Sequence, residues 1–147
     1  MEGSNPLYFS LTFCLVFEVN QWRNEANKKE QIMRTLNDYF INAEIEDIST
    51  ASSTFVAVPD GGRVIKIITA LQGAISGANA AITFEIGGTA MTNSAITVAH
   101  SGSAAGDVDT SEPSAANAVS EDGTIEMITD GGSTGTQKLL VTFVVRR

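Results

Sequence analysis

Nucleophilic catalysis needs a serine, threonine or cysteine beside a base, and His100-Ser101 is the one adjacency of that kind in this chain. Neighbours along a strand point to opposite faces, so the pair is badly set for proton transfer. The stretch GSAAG, residues 102–106, is not the Gly-x-Ser-x-Gly elbow of a hydrolase. A strand-end or surface histidine is the simpler reading. Asp107, Asp109 and Glu112 form the densest group of oxygen ligands, and calcium takes several such oxygens from one loop. The spacing DVDTSE lacks the glycine and the distal glutamate of an EF-hand loop, so solvated acids stand against a calcium site. Glycine pairs begin at positions 61, 87 and 131, and none lies between a strand and a helix, where backbone amides would converge on a phosphate. They read as turn glycines.

Composition narrows the classes further. With 9 Lys and Arg against 17 Asp and Glu, the net charge is −8, which disfavours a phosphate-backbone partner because nucleic-acid affinity is largely cation-driven. One cysteine, Cys14, forms no internal disulfide, and no Cys-x-x-Cys or His-x-x-x-His spacing exists to gather zinc. After Ile32 there is no Trp, and the Phe residues are needed for a core, so no aromatic platform for sugars stands out. The expectation is a protein that is not an enzyme and carries no cofactor and no metal.

Seven runs read as strands: 42–49, 54–58, 63–71, 80–86, 94–100, 124–130 and 137–145. In RVIKIIT, residues 63–69, alternation predicts one face of Ile65, Ile67 and Thr69 and another of Val64, Lys66 and Ile68. Ile125, Met127 and Thr129 form one face opposite Glu126 and Ile128. Neither face is cleanly polar, which fits sheets covered in part on both sides. Pro59-Asp60-Gly61-Gly62, Gly87-Gly88, Asp122-Gly123 and Asp130-Gly131-Gly132 mark turns. The interval 101–123 is too long for a hairpin and is expected as a surface excursion with a helical turn near Ser114 to Asn117. The predicted fold is all-β, a jelly-roll-like antiparallel sandwich of seven or eight strands preceded by an N-terminal segment.

That segment differs from the rest. LYFSLTFCLVFEV, residues 7–19, is too short to span a bilayer as a helix and lacks the basic flank of a secretory signal, and no membrane span is expected. Lys29-Glu30 can be encoded by AAG-GAG, a ribosome-binding sequence, with Gln31-Ile32 as spacer and Met33 as start. Residues 1–32 are therefore expected to be an N-terminal extension of translated leader, and 33–147 the sandwich domain with an arm over 33–42. The alternative is a genuine strand and a linker helix over 24–35.

The strings IEDIST, TFVAVPDGGRVIKI, ITFEIGGTAMTNSAITVAHSGSAAGDVD and PSAANAVSEDGTIEMITDGG resemble small β-rich structural proteins of tailed bacteriophages, of the capsid decoration (cement) or head-fibre-base type. The resemblance runs from about Met33 to Arg147. It implies a virion component on the capsid exterior, assembled in the host cytoplasm, that binds the major capsid protein lattice as a homo-oligomer, with a trimer favoured. A receptor- or glycan-binding module of a fibre or tail is the alternative it leaves open. Candidate partner-binding residues are Leu36, Tyr39, Phe40 and Ile41 of the arm, with a strand capping the chain's own core as the other reading. Asp107, Asp109 and Glu112 of the long loop come second. Arg146 and Arg147 are expected simply to solvate the end of the last strand.

Overall fold

The computed structural model describes residues 37–147, and within them every regular element is a strand. The expectations for residues 1–32, the linker helix and Leu36 lie outside the described residues. The elements are β1 (Asp38–Ile45), β2 (Ser52–Ala57), β3 (Gly62–Leu71), β4 (Ala80–Ile86), β5 (Thr89–Ala90), β6 (Ile96–Val98), β7 (Val108–Ser111), β8 (Ala118–Val119), β9 (Thr124–Thr129) and β10 (Leu139–Arg146). They form two antiparallel sheets. Sheet A runs β1-β10-β3-β7 with β8 also on β3, and sheet B runs β2-β9-β4-β5 with β6 also on β4. The outer strand is broken in each sheet: β7 and β8 divide one side of β3, and β5 and β6 divide one side of β4. Counting each broken strand once leaves eight positions, whose order is the interleaved pattern of a jelly roll.

Alternation builds the core. Leu139, Val141, Phe143 and Val145 of β10 face inward, as do Ile82 and Phe84 of β4 and Ile125 and Met127 of β9. Phe84 and Phe143 meet edge to face across the two sheets, with centroids 5.7 Å apart at 86°. The predicted face of Ile125, Met127 and Thr129 is buried as read.

In β3 the alternation breaks. Ile67, Thr69 and Leu71 are buried in phase, but so is Val64, which strict alternation places on the opposite face. The cause is a bulge: Val144 of β10 pairs with Lys66 and Val145 with Val64, leaving Ile65 as an extra residue. Val64 then finds its partners outside β10. Its N–H donates to the Asn117 carbonyl at 2.9 Å, and the Asn117 carboxamide Nδ2 donates back to the Val64 carbonyl at 2.7 Å and to the Pro113 carbonyl at 3.1 Å. Buried Asn117 thus satisfies both backbone groups of Val64, the residue beside the bulge.

The interval 101–123 departs from its expectation. It holds β7 and β8, both hydrogen-bonded to β3, and the segment Ser114 to Asn117 is not helical: Ala115 bridges Thr92, and Ala116 has φ +52°. The segment is held extended instead, by the Thr92 bridge at Ala115 and by the Asn117 carbonyl, which accepts from Val64 N–H as the β8 ladder continues. Residues 38–42 of the expected arm are the first half of β1, paired along β10 from Asp38↔Arg146 onward. Gly87 and Gly88 both have positive φ, +59° and +75°, as a two-residue hairpin between β4 and β5 requires.

Candidate interaction surface

Register determines what each sheet shows to solvent. On sheet A the outward rows run Asp38–Arg146–Arg63, Phe40–Val144–Lys66, Asn42–Thr142–Ile68–Thr110 and Glu44–Leu140–Ala70–Val108. Three of the four exposed large apolar side chains among the described residues stand on this face: Phe40 (66% exposed), Val108 (59%) and Leu140 (42%). Val144, between Phe40 and Lys66, is only 8% exposed yet lies outside the core cluster. The fourth, Phe55 (62%), is on sheet B, opposite Glu126, which is itself opposite Glu85. Two like charges directly across a strand pair repel.

The charges on sheet A are partly paired. Arg146 grips Asp38 in bidentate fashion at 2.8 and 2.7 Å, and Lys138 donates to Glu44 at 2.6 Å. The Arg146 bonds hold the Asp38 carboxyl below its ordinary range and raise the Arg146 pKa, and the Glu44 bond raises that of Lys138. Among the described residues Arg63 and Lys66 have no ion-pair partner. The bulge is what puts both on one face, because residues three apart in a regular strand point to opposite sides.

The sequence-derived site residues are distributed unevenly. Phe40 points outward, whereas Ile41 packs in the core and Tyr39 is half-buried against it. The Tyr39 hydroxyl donates to the Asp60 carbonyl, and burial, then the Asp60 carboxylate, push its pKa up. Arg147 pairs with the Asp60 carboxylate and lies 5.4 Å over the Tyr39 ring. Arg146 and Arg147 therefore tie the chain end to β1 and to the turn after β2, and do more than solvate the strand end. Asp107 accepts from Ala104 N–H at 2.7 Å, Asp109 sits on β7 with its carbonyl accepting from Thr69, and Glu112 is exposed beyond it. Among the described residues no three His, Cys, Asp or Glu converge as metal ligands. His100 is exposed and joined to the Asn79 side chain at 2.8 Å.

Sequence reasoning missed Arg63, Lys66, Leu140 and Val108 as surface features. One signal was present: QKLLVTFVV has apolar residues at both parities, so its strand must meet apolar surroundings on both sides.

No family model and no curated protein matches the chain. Solved structures do match the fold. A chain of the acidic stable capsid structure of Helicobacter pylori bacteriophage KHP30 aligns with TM-score 0.51 at 13% identity, over 75% of this chain and 87% of that one. The capsid asymmetric unit of cyanophage Pam1 gives 0.46 at 17% identity, over 74% and 85%, and the capsid of Ralstonia phage GP4 gives 0.45 at 18%, over 75% and 84%. At 13% identity the likeness to the KHP30 chain is one of fold, over three quarters of this chain.

Proposed function

We propose that the protein is a non-enzymatic virion structural protein of a tailed bacteriophage, which decorates or cements the capsid exterior by binding the major capsid protein lattice, and that it does so as a homo-oligomer, a trimer by preference. The observation that carries this reading is the likeness of the described jelly roll to a chain in the KHP30 capsid structure, nearly all of which it covers. The sequence resemblance points the same way independently. An acidic domain suits attachment outside a DNA-filled shell, because its net charge of −8 repels nucleic acid. Contacts in this reading come from β1, where Phe40 is exposed, and from β7 and its flanks, which carry Asp107, Asp109 and Glu112.

The test is to mix the purified full chain with capsids of the phage that encodes it, prepared without this protein, and to measure bound copies by sedimentation and cryo-electron microscopy. Saturation at a stoichiometry matching the lattice is expected. Attachment to host cells or glycans with no capsid binding would support a receptor-binding module and overturn the capsid reading.

A further inference from the structure

Beyond a general role in the virion, the molecule presents two chemically different broad faces. Its described residues carry five Lys or Arg against thirteen Asp or Glu. Cations are nevertheless concentrated on the outward side of sheet A, as Arg63, Lys66 and Arg146, while the strands of sheet B carry none. Arg146 is matched by Asp38 and Glu44 by Lys138, which leaves Arg63 and Lys66 as the surplus charge. The same face bears Phe40, Leu140 and Val108, with Ile68 between them. The bulge in β3, held by Asn117, brings Lys66 onto that face beside Val144.

We infer that the outward face of sheet A is the docking surface for a protein partner whose own surface is acidic opposite Arg63 and Lys66 and apolar opposite Phe40, Leu140 and Val108. The inference rests on the capsid reading for the source of that partner, the lattice protein, and goes beyond it by assigning the face and the partner's chemistry. Charge complementarity selects the occupant. Although the domain as a whole is acidic, this face carries Arg63 and Lys66 in excess of its matched ion pairs at one end and exposed apolar side chains beside and beyond them, so its local field favours an acidic protein surface. Phosphate recognition would call for more cations.

Size adds a consequence. Four strand positions and the seven residues from Asp38 to Glu44 define a face on the order of 400 Å² at ordinary strand spacings. One partner in a standard interface buries about 800 Å². Linking several copies in a homo-oligomer would strengthen attachment through such a face.

The experiment measures binding of the full chain to its phage's capsids across a salt series, with duplex DNA as a second probe and thermal melting to verify the fold of each variant. The double variant Arg63→Glu/Lys66→Glu is expected to bind at least about tenfold more weakly at low salt and to reverse the salt dependence, binding better as salt screens the new repulsion, and Phe40→Ser to bind about tenfold more weakly. Phe55→Ser/Glu126→Gln, on sheet B, is expected to change binding less than about twofold. If wild type binds and the sheet A variants bind equally well, or if only the sheet B variant loses binding, the assignment of the face is overturned and the capsid reading stands. If wild type does not bind capsids, both fall. Retention of duplex DNA that is lost in Arg63→Glu/Lys66→Glu would assign the face to nucleic acid and overturn the proposal.

Discussion

Asn117→Ala is the most informative single change, because one side chain stabilises the bulge that shapes the outward face of sheet A. Asn117 is 6% exposed, and its Nδ2 supplies hydrogen bonds at 2.7 Å to the Val64 carbonyl and 3.1 Å to the Pro113 carbonyl. Each buried bond contributes about 1 kcal/mol net, and a buried carbonyl left without a donor costs about 1–3 kcal/mol. The expected loss is about 2–4 kcal/mol, which for a domain of this size lowers Tm by roughly 4 °C per kcal/mol. Thermal unfolding of the full chain followed by far-UV circular dichroism, with urea titration as a second measure, reads this directly. Asn117→Asp should be worse than alanine, since a carboxylate turns acceptors toward two carbonyls and brings a charge into a buried site. A Tm shift of less than about 2 °C for Asn117→Ala, with aspartate no worse than alanine, would refute the role assigned to this residue.

Other outcomes are specific to single positions. Gly131 has φ +67° and an added Cβ would lie 2.4 Å from Ala51 N, whereas Gly87 has φ +59° in open space. Gly87→Ala should therefore cost about 1–2 kcal/mol through backbone conformation alone, and Gly131→Ala clearly more; equal costs in urea unfolding would contradict the packing at Gly131. Among the described residues Ser133 Oγ is buried with no hydrogen-bond partner, so Ser133→Ala should leave Tm unchanged or raise it, and a loss above about 1 kcal/mol would show a partner. The Asp47 carboxylate accepts from the Ser49 hydroxyl and amide and the Thr50 hydroxyl, led by the Ser49 hydroxyl, which lowers its pKa below the ordinary 3.8. A lowered folded pKa contributes stability above the unfolded value that is lost as pH falls through the folded one. The stability advantage of wild type over Asp47→Ala should thus shrink as pH drops below 3.8, and an advantage that grows or stays constant as the pH falls would reject this assignment.

Strand content was readable because period-two burial is a local property. The run Ala80–Ile86 matches β4 to the residue, and the inward set Ile125, Met127, Thr129 follows from alternation alone. Elements with little apolar content were not readable. Val108–Ser111 and Ala118–Val119 are strands because β3 offers them an edge to bond with, and β3 is distant in sequence.

The same division applies to the surface. The sequence by itself determined that the chain is a β-sandwich former with a large acidic excess and strands too apolar to be covered on one side only. Tertiary pairing alone decided that Ile65 is an extra residue opposite β10, that Val64 turns inward, and that Arg63 and Lys66 emerge together beside Phe40, Leu140 and Val108. Parity along one strand is written in that strand; a break in parity exists only relative to the neighbour it pairs with, and the Asn117 that sustains it comes from a loop some fifty residues away.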